Sequence, residues 1–154
     1  MHQAYLLIGS NIQSQQNIQA ALRILNGSCL IKRCSKIWKT LAYGSAGPDF
    51  LNIAVLIGTP LEKDQIKTQI ITSIEMKLKR KRYPNKNAPR TIDVDIIIFD
   101  DKVVDQGLWH KFFIAVPVAD LLPELKNPDS GKSLHEIAQE MINQGLAVFY
   151  SDCL

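Results

Sequence analysis

The chain has 154 residues, 46% of them hydrophobic and 21% charged, the balance of an ordinary soluble globular protein with one core that needs no disulfide or metal staple. Its three cysteines, Cys29, Cys34 and Cys153, show no CxxC spacing. They indicate neither a zinc site nor a disulfide framework, and the expectation is a single domain over residues 1–154 in a reducing cytoplasm. Residues 1–5 lack the basic start and long apolar stretch of a signal peptide, and apolar runs such as 53–57 and 96–99 are too short to span a bilayer. The net charge of +3 is unevenly spread: residues 77–90 hold seven basic side chains and no acid, leaving 11 basic against 15 acidic residues elsewhere. A concentrated positive field of that kind attracts an anion.

Tyr5-Leu6-Leu7-Ile8 reads as a buried strand stopped by a turn at Gly9-Ser10-Asn11. Ile18, Ala21, Leu22 and Leu25 fall at helical spacing, with Gly27 as a stop. Residues 30–38 read as a strand, 40–49 as a loop holding Gly44, Gly47 and Pro48, and 50–57 as a second apolar strand. Thr59-Pro60-Leu61-Glu62 predicts a helix start with Thr59 as cap and Glu62 closing a capping box. Ile66, Ile70, Ile74 and Leu78 then repeat along one face. After the basic segment, broken by Pro84 and Pro89, residues 91–99 form a long strand. Asp100-Asp101 is a turn, Val103-Val104 a short hairpin partner, and 112–116 one more strand before Pro117. Ser133-Leu134-His135-Glu136 is a second capping box, and that helix ends at Gly145. The order is that of a ferredoxin-like βαββαβ core with C-terminal additions: an α+β three-layer sandwich on a mainly antiparallel sheet.

The chemistry concentrates at Pro89-Arg90-Thr91-Ile92-Asp93-Val94-Asp95. Asp93 and Asp95 stand two apart on a strand, so both face one side, with Cα atoms about 7 Å apart. Ile92, Val94 and Ile96 face the other side, toward a core. Two such carboxylates stay ionised together only when a cation or several donors compensate them. Hard oxygen ligands at this spacing suit Mg²⁺, whose shell is filled by phosphate oxygens and water. The plain reading is the polar face of an edge strand. The basic segment leading straight into Arg90 and the strand shifts the balance toward a nucleoside triphosphate site. Taken singly, Thr40 and Asn52 are uninformative, a lone His110 reads as a surface residue sooner than a ligand, Trp38 reads as core, and the 77–82 basic run is an ordinary helix end.

At this point the sequence resembles the 6-hydroxymethyl-7,8-dihydropterin pyrophosphokinase family of folate synthesis. The resemblance rests on Gly9-Ser10-Asn11 after the first strand, on Thr40, Gly44 and Phe50-Leu51-Asn52, and on Glu75, Arg80, Arg82 and the run from Lys86 to Asp95. It implies the ferredoxin-like fold already read from the element order. It also implies transfer of pyrophosphate from ATP to the pterin hydroxymethyl group with release of AMP, two Mg²⁺ held by Asp93 and Asp95, and Arg80 and Arg90 in the catalytic set. On the nucleotide side it implies Glu75, Arg82, Lys86, Arg90, Ile96, His110 and Lys111. On the pterin side it implies Thr40, Leu41, Tyr43, Phe50 and Asn52, with Phe113 as a stacking partner. The expected partners are these small molecules, with no nucleic acid, no membrane and a monomeric state.

Three departures from the family pattern stand out. Asn87 replaces a stacking Trp, Lys86 replaces an Arg and so loses its fork, and the stretch between Phe99 and Phe113 is short, leaving Trp109-His110-Lys111 in place of a Pro-His-aromatic motif. Two alternatives remain: a diverged member that binds without catalysing, and an RNA-binding module, which would need exposed aromatics on its central strands, of which Tyr5-Leu6-Leu7-Ile8 and Asp93-Val94-Asp95 offer almost none.

Overall fold

The computed structural model describes residues 1–42, 47–81 and 90–153. Strand β1 (His2–Ser10) is central, pairing antiparallel with β4 (Phe50–Thr59) on one side and β5 (Asp93–Phe99) on the other. The seven-stranded sheet runs β6-β5-β1-β4-β3-β7, with β2 (Leu30–Cys34) and β3 (Ile37–Thr40) pairing successive halves of β4. β6 (Lys102–Val103) and β7 (Ala147–Ser151) form its edges. This is the expected ferredoxin-like core, extended by β6 and β7.

One face of the sheet is covered by α1 (Ser14–Ser28) and by a helical run made of α2 (Lys63–Gln65), a π-helical stretch (Ile66–Ile71) and α3 (Thr72–Lys77). Leu6, Ile8, Ile18, Leu25, Ile74 and Val94 share the core on that side. The other face is covered by α4 (Phe112–Leu121) and α5 (Leu134–Asn143), with Leu7, Ala54, Ile97, Val118 and Leu134 buried between. The two faces differ because side chains alternate along each strand. A bulge opposite Tyr5/Leu6 shifts β5 by one residue, and Ile97 and Ile98 both reach the α4 side.

Several local readings change. β1 continues through Gly9 and Ser10, and the bend falls on residues 11–13. Residues 30–40 form two strands with a break at Ser35, whose hydroxyl accepts from Ala54 N at 2.9 Å. The second helix is capped by Glu62, not Thr59: Glu62 and Gln65 form the capping box, while Thr59 ends β4. Residues 112–116 lie in a helix, not a strand. A short apolar run has no period that separates strand from buried helix; α4 is apolar all round because the sheet and α5 enclose it, and it runs through Pro117. The Ser133–Glu136 capping box is formed as read, and Gly145 adopts φ +78° after the helix. Strand β7 has no counterpart in the sequence reading.

Cys34 and Cys153 form a disulfide across 119 positions, which corrects the expectation of free thiols. Spacing along the chain carries no information on a pair that distant. Cys29 is free and half-buried, and burial pushes its thiol up to about 11. Among the described residues no helix is long and apolar enough to cross a membrane.

Candidate active site

At the Gly9 end of β1, between the sheet and the start of α4, lies a cavity of about 270 Å³. The register puts its polar groups side by side: Gly9 is paired with Asn52 on β4 and with Asp93 on β5, and Leu7 with Asp95. Alternation along β5 then turns Asp93 and Asp95 into the cavity and Val94 into the opposite core. The paired carboxylates thus stand on a strand that is hydrogen-bonded to β1 along this stretch, β6 joining it only at Ile98 and Phe99, and they share one face as the sequence period required.

The cavity has two kinds of wall. Toward β3, the buried Thr40 and Asn52 are joined, Asn52 Nδ2 donating to Thr40 Oγ1 at 2.6 Å. Phe50, Leu41 and Phe113 add apolar surface beside them. Phe113 is brought there by α4, which Asp120 fastens to β3: Asp120 Oδ2 accepts from Trp38 Nε1 at 2.9 Å and from Lys36 N at 3.1 Å. A flat apolar slot with a few fixed polar groups suits a heteroaromatic ring.

Toward β5 the wall is charged. Arg90 Nη1 donates to Asp93 Oδ2 at 3.1 Å, and Arg80 Nη1 to Asp93 Oδ1 at 3.0 Å. Arg80 also pairs with Glu75, and both side chains are largely buried, at 12% and 13% exposure. Arg90 stacks over Phe50, 5.7 Å from guanidinium carbon to ring centre. Its backbone is clamped to the end of β1 by Asn11, whose Oδ1 accepts from Arg90 N at 2.7 Å and whose N donates to Arg90 O at 3.2 Å. Among the described residues, Arg80 Nε and Thr91 Oγ1 are buried without a hydrogen-bond partner.

Asp95 is reached by water but sits on the floor of the concavity, crowded by protein on most sides. That desolvation, reinforced by the negative charges of Asp93 and Asp105 and opposed by Arg80, pushes its carboxyl up to about 7. Negative charge is in excess at the cavity floor, the condition a divalent cation relieves. Among the described residues no group of three or more metal-binding side chains occurs. Two carboxylates therefore fit an ion such as Mg²⁺ that draws most of its shell from phosphate oxygens and water, and they do not fit an ion that needs a full protein cage.

Of the residues named from sequence, Thr40, Leu41, Phe50, Asn52, Arg90, Asp93, Asp95, Lys111 and Phe113 meet in this one cavity. Glu75 and Arg80 adjoin it through Asp93. Ile96 packs into the core on the opposite face, and His110 is exposed at the end of a short 3₁₀ turn (Gln106–Trp109), outside the cavity lining. Tyr43, Arg82, Lys86, Asn87 and most of the basic loop lie outside the described residues. The sequence reading missed Asp105, which faces the cavity, and the backbone clamp of Asn11. Asp105 did carry a signal, since Asp-x-Gly is a common side-chain-capped turn.

An antiparallel α+β enzyme of ferredoxin-like plan, with a carboxylate–arginine cluster beside an aromatic slot, is thus defined by fold and site together. The chain belongs to the 7,8-dihydro-6-hydroxymethylpterin-pyrophosphokinase (HPPK) family, whose pattern matches residues 5–123. It is 28% identical over 151 residues to the 2-amino-4-hydroxy-6-hydroxymethyldihydropteridine pyrophosphokinase of Synechocystis sp., covering 91% of this chain and 76% of that protein. The Pseudomonas aeruginosa enzyme of the same name is 28% identical over 149 residues, covering 89% and 90%. The mitochondrial folate synthesis bifunctional protein of Arabidopsis thaliana is 29% identical over 151 residues, and the match spans only 26% of its length. Among solved structures, a Plasmodium falciparum HPPK-DHPS with pterin and p-hydroxybenzoate superposes with a TM-score of 0.71 at 12% identity, over 96% of this chain and 46% of that one.

Proposed function

We propose that this chain transfers pyrophosphate from ATP to the hydroxymethyl group of 6-hydroxymethyl-7,8-dihydropterin, releasing AMP, as a step of folate biosynthesis. Family membership supports the reaction. The single observation that carries the assignment to this cavity is that the Thr40–Asn52 pair and the Asp93–Asp95 pair line the same concavity. A ring held at the first would present its substituent to a phosphate chain held at the second.

In this reading Thr40, Asn52 and the backbone near Leu41 hold the pterin edge, and Phe113 and Phe50 hold its faces. Tyr43 belongs to the same stretch of chain. The hydroxymethyl oxygen forms a bond to the β-phosphorus, the bond from that phosphorus to the oxygen bridging toward the α-phosphate breaks, and AMP departs with that oxygen while the hydroxyl proton is lost. Arg80 and Arg90 stabilise negative charge on the transferring group, and Glu75 keeps Arg80 in place. Arg82, Lys86 and Lys111 complete the nucleotide set carried over from the family resemblance, while Ile96 and His110, named with them from sequence, lie outside the cavity lining. Asp93 and Asp95 would hold Mg²⁺, two ions in the full complement, which when bound neutralises phosphate charge. The protein acts as a cytoplasmic monomer on small molecules, without nucleic acid or membrane. A disulfide in that compartment makes the redox state of Cys34 and Cys153 a measurable variable.

The decisive assay is AMP release from Mg-ATP with and without the hydroxymethylpterin. Pterin-dependent AMP in stoichiometric amount with the pyrophosphorylated pterin supports the reading. Binding of both substrates without AMP would leave a protein that binds and does not catalyse, and would overturn it.

A further inference from the structure

The shortened stretch between β5 and α4 is built around three residues that no role above explains together: Asp105, Gly107 and Lys111. Asp105 is anchored to β5, its N donating to Ile97 O at 3.2 Å. Its side chain caps the 3₁₀ turn, Oδ1 accepting from Gly107 N at 2.9 Å. Lys111 is fixed where the turn passes into α4. Its N donates to Gly107 O at 2.8 Å, and its carbonyl accepts from Ala115 N at 2.9 Å. The lysine backbone therefore has no freedom of its own, and its side chain lines the cavity that holds the two aspartates.

Gly107 is the informative member. Among the described glycines only Gly131 and Gly145 have positive φ, so backbone conformation does not demand glycine at 107. Space does. A Cβ at this position would lie 2.8 Å from Lys111 Cδ, 3.0 Å from Asp105 Oδ1 and 3.3 Å from Ile114 Cδ1. The bare Cα is the trough in which the lysine stem lies, and the Asp105 carboxylate fixes one bank of it. His110, one residue earlier, is exposed and stands outside the cavity lining.

We propose that Asp105 and Gly107 are positioning residues that lay the Lys111 side chain across the turn, so that its ammonium group meets a phosphate oxygen of the bound nucleotide. This inference rests on the pyrophosphokinase reading of the same cavity, and it assigns an anion contact to a capped turn of this chain. A single ammonium is a point charge that needs no fork, and it tolerates delivery by a flexible stem provided the stem is channelled.

The test is nucleotide binding with a non-hydrolysable ATP analogue and Mg²⁺ by calorimetry, run beside binding of 6-hydroxymethylpterin by fluorescence and thermal melts. Lys111→Ala and Gly107→Ala each weaken the analogue about tenfold, with pterin affinity within about twofold. Gly107→Ala acts mainly by displacing the flexible stem and not the backbone, so the fold survives. Asp105→Asn gives a smaller loss. Lys111→Arg keeps most of the affinity, as a charge role requires and a packing role does not. The decisive comparison is the cycle: in the Lys111→Ala background, Gly107→Ala causes no further loss. If Gly107→Ala weakens the analogue equally with and without the lysine, or if Lys111→Ala binds it like the parent, the inference is overturned while pterin-dependent AMP release by the parent keeps the function standing. A parent that releases no AMP overturns both.

Discussion

The side chain of Asn52 lies across the bare Cα of Gly9 on the neighbouring strand: a Cβ on Gly9 would stand 2.5 Å from Asn52 Oδ1. The two are register partners in the β1–β4 ladder, and Gly9 is inside the strand, where glycine ordinarily weakens a sheet. What it provides is room for Asn52 to lie flat and reach Thr40. Gly9→Ala therefore pushes the amide away from Thr40 Oγ1 and breaks a buried hydrogen bond, at a cost of about 1–3 kcal/mol. The expected result is pterin affinity lowered at least about fivefold, since a hydrogen bond of this worth sets the ring's position, with nucleotide affinity near that of the parent. Fluorescence titration with the pterin checks it; unchanged pterin affinity would show that the pair does not read the ring.

Asp95 carries a conflict between stability and chemistry. Its carboxyl is raised to about 7 by desolvation and by Asp93, so in the ligand-free protein it binds a proton that the unfolded chain releases near pH 4. The sign follows: over the window from about 4 to 7 the native state holds more protons, and this group's contribution falls as pH rises through it. Asp95→Asn removes the penalty. The variant should melt higher than the parent at pH 8 without ligand, while turnover drops about a hundredfold, roughly 3 kcal/mol in the barrier. Loss of both stability and activity would mean that the carboxylate is a structural partner.

The sheet and its paired aspartates were legible because both depend on local rules. Alternation at period two places Asp93 and Asp95 on one face and Ile92 and Val94 on the other, and nothing distant can alter that while the segment stays a strand. The union of Thr40 with Asn52, the Asn11 clamp on Arg90 and the trough at Gly107 were not legible. Each is a contact across 4 to 79 positions, fixed by strand register or by a turn, and neither residue type nor spacing records it. The α4 segment was misread for a third reason. A helix enclosed on all sides loses the amphipathic stripe by which helices are recognised, and its Pro117 looked like a terminator. Strand β7 was missed because Ala147-Val148-Phe149-Tyr150 is a short continuous apolar run with no period-two alternation, and in the fold three of the four are exposed.

At the far end of β1 a small ionic cluster predicts a pH effect. His2 lies between Asp100 and Glu62, its Nδ1 against Asp100 Oδ2 and its Nε2 3.0 Å from Glu62 Oε1. The bond to Asp100 raises the imidazole above its usual range, and Glu62 adds to it. Asp100 is in turn lowered, first by the N–H of Gln3 and then by His2. A raised histidine contributes fully below its unfolded value near 6.5, and the contribution disappears as pH rises through the folded value. The stability difference between the parent and His2→Gln should therefore be largest near pH 6 and shrink toward pH 8.5. Denaturant titrations across that range check it, and a gap independent of pH would rule out the charged cluster.

The disulfide ties the chain just past β7 to the end of β2, next to the strand that carries Thr40 to the cavity. Among the described residues β7 pairs with β3 alone, Thr40 with Ala147 and, past an irregularity after Ile37, Ile37 with Ser151. Carried two residues further, that register sets Cys153 opposite Ser35, one residue from its disulfide partner Cys34. At the other end Leu41 N donates to Leu146 O at 3.5 Å, so β7 backs the residues that form the pterin side of the site. Its own side chains bury little: Val148 and Phe149 are at least half exposed, and Phe149 rests edge-on against Trp38 beneath Lys36. A strand so lightly packed depends on its covalent tie. Opening a loop closed across 119 positions lowers stability by about 5 kcal/mol in the chain-entropy relation, mainly by freeing the unfolded chain. Cys153→Ser, or the parent under a strong reductant, should melt several degrees lower. Amide exchange should speed up first in β7, then at Thr40 and Leu41, with pterin affinity falling before nucleotide affinity. If exchange in β7 is the same in the oxidised and reduced protein, the strand is held by its ladder alone and the thiol state is irrelevant to the site.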